Sequence, residues 1–196
     1  VKKSTIAAVA LLFCASYGLA AAQQVQVTIV PAQTKIEWTL GATLHTVHGT
    51  FTLKSGQIAF DPASGNASGE LVIEAASGNS GNDSRDAKMH NDVLETKRYP
   101  EITFLVKKVS GPWSDHGNST LQVQGVFHIH GADHDLTLPL AVEAVGDSVN
   151  AATHFTVPYQ AWGMKNPSSG FLHVDDKVQV SIAAVGRMTS SGAPSH

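Results

Sequence analysis

The chain has a single cysteine in 196 residues, Cys14, and it falls inside an N-terminal segment patterned like a secretory leader. With that segment removed, disulfides and thiol chemistry are excluded, and the apolar core alone must hold the fold. Long apolar runs are scarce too. The N-terminal one, Ile6 to Phe13, is too short for a helical membrane span of about 20 residues. Positive charge is not in excess: 13 Lys and Arg stand against 16 Asp and Glu, for a net charge of −3. That balance argues against a nucleic-acid partner held by phosphate neutralisation. There is no phosphate loop and no dinucleotide fingerprint. Gly78-Asn79-Ser80-Gly81 lacks the residue after Ser that a nucleophile elbow requires. No basic amphipathic helix is present for lying on a membrane. These absences point to binding rather than chemistry.

The leader carries Lys2 and Lys3, the apolar run to Phe13, and Leu19-Ala20-Ala21-Ala22 before Gln23. Cleavage is expected after Ala22, which makes the protein exported, to the periplasm or outside. Bulky Phe13 before Cys14 does not suit a lipoprotein signal. Residues 23–190 are expected to form one barrel domain, and residues 191–196 a flexible tail. The leader takes two lysines with it, leaving 11 basic against 16 acidic residues.

Alternation of apolar and polar residues dominates what remains. Ile36, Trp38 and Leu40 alternate with Glu37 and Thr39; Val47, Phe51 and Leu53 share a parity, as do Ile58 and Phe60. Ile102, Phe104 and Val106 continue the pattern, then Leu121, Val123, Phe127 and Ile129, then Leu136, Leu138, Leu140 and Val142. Val178, Val180 and Ile182 close it. One apolar and one polar face is the mark of antiparallel sheet packed on one side. Turns are expected at Lys54-Ser55-Gly56, Asp61-Pro62, Asp115 to Asn118 and Gly146-Asp147. At the hairpin after Ile129, apolar residues are odd-numbered on one strand and even-numbered on the other. Paired numbers must therefore sum to an odd value. A two-residue type II′ turn at Gly131-Ala132 meets this, placing Phe127 opposite Leu136 and Val123 opposite Leu140.

Asp83 to Leu94 breaks the alternation. Asp83 or Ser84 can cap a short helix, Asp86 suits its first turn, and Tyr99-Pro100 stops it before the next strand. Arg85, Asp86, Lys88 and His90 are residue types of an acid–base set, but no nucleophile stands beside them, and exposed helices pair charges at the same spacings.

His128-Ile129-His130 places two imidazoles on one face, an arrangement zinc uses. A metal-dependent hydrolase or metal carrier on His45, His128 and His130 is the alternative reading. The hairpin register instead suggests charge pairs, His130 with Asp133 and His128 with Asp135. His134 has the opposite parity, and His45 and His48 fall on opposite sides of a straight strand.

Several segments resemble the YceI family, exported proteins that bind polyisoprenoids or other lipids. They are His48-Gly49-Thr50-Phe51 with Ser55-Gly56 and Asp61; Arg85-Asp86 with Met89-His90; Arg98-Tyr99-Pro100-Glu101-Ile102-Thr103-Phe104; and Gln124-Gly125 through Gly131. The resemblance implies an all-β, antiparallel, up-and-down, lipocalin-like barrel of about eight strands, with one short helix between strands. It also implies an elongated apolar tunnel holding a long-chain lipid, an isoprenoid quinone or polyprenyl lipid being the expected ligand, and no catalytic cofactor. Tunnel residues are expected among Trp38, Phe51, Phe104, Val123, Phe127, Leu138, Leu140, Phe155, Trp162, Val180 and Ile182. Arg85, Asp86, Tyr159 and Lys165 are candidates for the mouth and a polar head group. One departure stands out: where the family has R-x-D-F-G, this chain has Tyr159-Gln160-Ala161-Trp162-Gly163. Membrane contact is expected to be transient, through loops at the mouth. Periodicity alone cannot distinguish a hollow barrel from a filled one serving as an interaction module.

Overall fold

The computed structural model describes residues 24–43 and 45–191. The expected leader, 1–22, and all of the expected tail but Ser191 lie outside them. Nine strands follow in order: β1 (Gln24–Ile29), β2 (Lys35–Gly41), β3 (Thr46–Phe60), β4 (Ala67–Asn79), β5 (Glu101–Ser110), β6 (Gly117–Ile129), β7 (Ala132–Val145), β8 (Ser148–Val157) and β9 (Val178–Ser191). A helix, α1 (Asp83–Lys88), and a π-turn at Met89–Val93 lie between β4 and β5.

All pairings are antiparallel, and the sheet closes on itself. β1 and β2 both bond to β3 on one side and β9 on the other. They are two halves of one strand, interrupted by a 3-10 turn at Pro31–Gln33 where Pro31 cannot donate to a ladder. The result is an eight-stranded barrel with meander order, as the resemblance implied, built from the antiparallel strands that the alternation indicated.

The ladder between β3 and β4 shifts register between Thr50 and Thr52, and two further bulges adjust which residues face inward. The same ladder shifts between Leu53 and Ser55, and that between β5 and β6 between Val106 and Lys108. Each of these two flips parity: Leu53 is buried above the first and Phe60 below it, Val106 above the second and Val109 below it. Lys54-Ser55-Gly56 is therefore not the turn its composition suggested but the bend of one 15-residue strand.

The β6–β7 hairpin also corrects the expected register. Ile129 pairs with Ala132, Phe127 with His134, Val123 with Leu138, and Leu121 with Leu140. The turn is His130-Gly131, with φ of 52° and 75°. Positive φ at both positions defines a type I′ turn, whose twist matches the strands. Paired numbers still sum to an odd value, so the inward set is unchanged while the pairing slides by two residues.

The barrel's two ends differ. Toward the β3–β4 and β7–β8 turns the interior is packed with Val25, Phe60, Val109, Leu121, Val142 and Val149, all buried. Trp113 meets Phe60 edge-on there, with ring centroids 5.1 Å apart. Toward α1 and the loop 158–177 the interior opens. On that side the seam between β7 and β8 is incomplete: their pairing covers only Ala141–Val145 with Ser148–Ala152. Beyond it, the segment after β8 covers the gap. Trp162 stacks on His134 at 3.9 Å and 8°, and its ring lies 5.9 Å from Phe127.

Candidate functional site

The open half of the barrel holds a cavity of about 430 Å³. Pockets for small ligands span ~300–1,000 Å³. The cavity reaches from Ile29, Ile58 and Ala184 to a mouth formed by Ala42, His45, Arg85, Lys88, Pro167, Leu172 and Val174. Every strand except β1's first residues sends alternate side chains to the wall, which is why a period-2 sequence builds it.

Of the residues expected in the tunnel, Trp38, Phe51, Phe104, Val123, Phe127, Leu138, Leu140, Phe155, Val180 and Ile182 all line the cavity. Trp162 does not; it packs behind Phe127, as the cover of the β7–β8 gap. At the mouth Arg85 and Tyr159 are on the wall, whereas Asp86 and exposed Lys165 are not. Lys88, Met89, Val93 and Leu94 from the helical segment also line it, a contribution strand alternation could not indicate. Ile36, Ile73, Ile102 and Val106 complete the middle of the wall.

Two glycines make room for this arrangement. A Cβ on Gly49 would lie 2.2 Å from the Trp38 ring, so the indole rests directly on the Gly49 backbone. A Cβ on Gly78 would lie 2.7 Å from both Met89 and Phe51, so the helical segment packs down where only glycine fits.

Polar groups on the wall are few, and several are already engaged. Asn82, rather than Asp83 or Ser84, caps α1 by accepting from the Arg85 amide at 3.0 Å. The Arg85 guanidinium donates from Nε to Ser80 Oγ at 2.8 Å and from a terminal nitrogen to the Ser80 carbonyl at 3.0 Å. Asp86 accepts from the Ser80 amide at 2.9 Å and from its hydroxyl. The Arg-Asp pair is thus a clamp on Ser80, leaving part of the guanidinium's five donors unspent. Lys88 Nζ donates to the Pro167 carbonyl at 2.9 Å, tying helix to mouth loop. Tyr159 donates its hydroxyl to the Asp175 carbonyl at 2.6 Å. Burial, with Asp176 and Asp175 nearby, pushes its pKa up to about 12, so it stays a neutral donor.

Among the lining residues the exceptions are Trp38 and Thr153, whose Nε1 and Oγ1 are buried and without a protein partner. Each carries a proton that an apolar neighbour cannot accept, and an unpaired buried donor costs about 1–3 kcal/mol.

The three histidines of the metal reading do not converge. His128 Nδ1 meets Asp133 at 2.6 Å, His130 Nε2 meets Glu95 at 2.8 Å, and His45 stands at the mouth. The partners differ from those expected, Asp135 for His128 and Asp133 for His130, because the hairpin register slides by two. Among the described residues no group of three or more His, Cys, Asp or Glu is placed to hold a metal. Burial lowers the pKa of His134, with a further push down from His128 against a pull up from Asp133.

Fold and site together define a lipocalin-like β-barrel whose half-hollow, apolar interior opens at one end. Residues 27–185 match the YceI-like domain, and the chain belongs to that family. BcnA of Burkholderia cenocepacia is similar in structure, with a TM-score of 0.65 at 21% identity, over 80% of this chain and 98% of that one. So is a polyisoprenoid-binding domain of Saccharophagus degradans implicated in plant cell wall breakdown, with a TM-score of 0.64 at 16% identity, over 82% and 97%. A Campylobacter jejuni YceI protein gives a TM-score of 0.57 at 21% identity, over 77% and 88%. No curated protein matches the chain significantly.

Proposed function

We propose that this protein is an exported, non-enzymatic carrier that holds the tail of an isoprenoid quinone, a polyprenyl lipid or a similar long-chain lipid inside the barrel. The observation that carries the reading is the 430 Å³ cavity, walled almost wholly by aliphatic and aromatic side chains. A cavity so lined stays dry, so an apolar chain entering it displaces little water and leaves much. Each buried CH₂ contributes about 0.8 kcal/mol, so a chain of several isoprene units is retained without any ion pair. The polyisoprenoid-binding name of the Saccharophagus relative supports the same ligand class. The polar groups on the wall support a binding role: Arg85 clamps Ser80 and Tyr159 is bonded to the Asp175 carbonyl, both contacts that hold the mouth loops in place. Membrane contact is transient and made at the mouth.

Native mass spectrometry of detergent-free protein, after incubation with an isoprenoid quinone or a polyprenyl phosphate, tests this. A one-to-one adduct that disappears on denaturation is expected. Ala151→Phe, which sets a ring into the hollow from the wall, should weaken that adduct by about tenfold or more while the protein stays folded. A clean apo mass with both lipids would overturn the carrier reading.

A further inference from the structure

The mouth carries an apolar feature that the cavity does not require. Phe171 is wholly exposed, at 102% of its reference surface, and its neighbour Leu172 is 49% exposed while also lining the cavity. Both belong to a two-residue turn in which Ser169 and Leu172 exchange backbone hydrogen bonds of 3.1 and 3.0 Å. Gly170 has φ of 59° at the first turn position, and Phe171 follows with negative φ, a type II′ turn.

The turn is held in place from several sides. His173 and Thr43 bond to each other three times, from the Thr43 amide to the His173 carbonyl at 3.0 Å, from Thr43 Oγ1 to the same carbonyl at 3.1 Å, and from the His173 amide to Thr43 Oγ1 at 2.9 Å. Val174 pairs with Ala42, and its amide donates to Ser168 Oγ at 2.9 Å. Lys88 holds Pro167. The full exposure of Phe171 is therefore built into a clamped turn rather than a by-product of looseness.

We propose that the Ser169–Leu172 turn is a bilayer-insertion tip, with Phe171 entering the acyl region so that the apolar mouth opens into the membrane. This rests on the carrier reading. Leu172 makes the apolar surface continuous from the tip into the tunnel, so a lipid tail can pass between bilayer and barrel without crossing water. The loop from Pro158 to Lys177 carries Lys165 and Lys177 against Asp175 and Asp176, a balance of zero. The contact is thus apolar rather than electrostatic. It should appear with neutral phosphatidylcholine and change little with added salt or anionic lipid.

Flotation with phosphatidylcholine vesicles containing an isoprenoid quinone, with quinone then measured in the vesicle-free protein, tests it. Phe171→Ser should weaken vesicle partition about ten- to hundredfold and slow quinone capture from vesicles, yet leave capture from detergent micelles intact. Val145→Ser removes another exposed apolar side chain, beside the β7–β8 turn at the barrel's opposite end, and should match the unaltered protein. Equal partition of the Phe171→Ser and unaltered proteins, or an equal loss in Val145→Ser, would overturn the tip. Capture from micelles with no flotation would overturn the tip and leave the carrier standing. Phe171-dependent flotation with no capture from either source would leave the tip and sink the carrier.

Discussion

Trp38 sits where shape and polarity pull apart. Its ring fills the space above Gly49, while its buried indole N–H has no protein acceptor. Phenylalanine would fill most of the same space without the unpaired donor. Trp38→Phe should leave apo stability within about 1 kcal/mol of the unaltered protein, since lost contact area offsets the relieved donor. Affinity for an isoprenoid quinone, whose carbonyl can accept from Nε1, should fall about tenfold, the worth of one net hydrogen bond. Affinity for a hydrocarbon such as squalene should hardly change. Competition between the two ligands in native mass spectrometry measures this, and an equal loss for both would make Trp38 a shape residue only. At this scale the sequence was informative about the wall and less so about the rim. Phe104, Val123 and Phe127 were marked by their alternation. Lys88 and Leu172 reach the mouth only because a helix and a loop, which have no period-2 pattern, fold over it.

Among the elements, the β7–β8 seam departs most from an ideal barrel. Beyond Ala141 and Ala152 the two strands separate, and the His134–Trp162 stack covers the gap. Burial favours neutral His134 in the folded state, so its pKa lies below the ordinary 6.5. A depressed histidine pKa stabilises the fold while the unfolded chain is also neutral, and that stability is lost as pH falls below about 6.5, where the unfolded chain binds the proton more readily. Urea midpoints should therefore drop further between pH 7.5 and 5.5 in the unaltered protein than in His134→Phe, which keeps a ring against Trp162. Equal drops would mean that this histidine's titration is not linked to folding. The seam was not legible in the sequence. Leu136, Leu138 and Leu140 alternate as cleanly above the gap as Val142 and Ala144 do below it, because alternation reports which face is buried and not which neighbour is bonded. The hairpin shows the same limit: parity fixed its facing, while the His130-Gly131 turn fixed its register.

As a whole, the molecule divides its interior between a packed end that stabilises it and a hollow end free to bind. A ligand that enters only the folded barrel must raise its stability, by about 2.7 kcal/mol at a concentration of one hundred times Kd. At roughly 2–4 °C per kcal/mol for a domain of this size, the thermal midpoint should rise by about 5–10 °C with saturating isoprenoid quinone. Differential scanning fluorimetry reads this directly, and a midpoint unmoved at saturation would place the ligand outside the folded interior.

The sequence by itself determined the all-β class and the inward residues of β2, β3, β5, β6, β7 and β9, because side-chain alternation is a local property of extended chain, and its motifs determined the family. It also determined that no disulfide supports residues 24–191, the described part of the chain. Only the tertiary structure decided that one half of the barrel is filled and the other hollow. That depends on how side chains from eight strands meet across the axis, and on the bulges that change which residues reach it. The same is true of the histidines, which pair with Asp133 and Glu95 once strands slide into register, and of Phe171, whose exposure at the mouth exists only because the loop after β8 folds back across the barrel end.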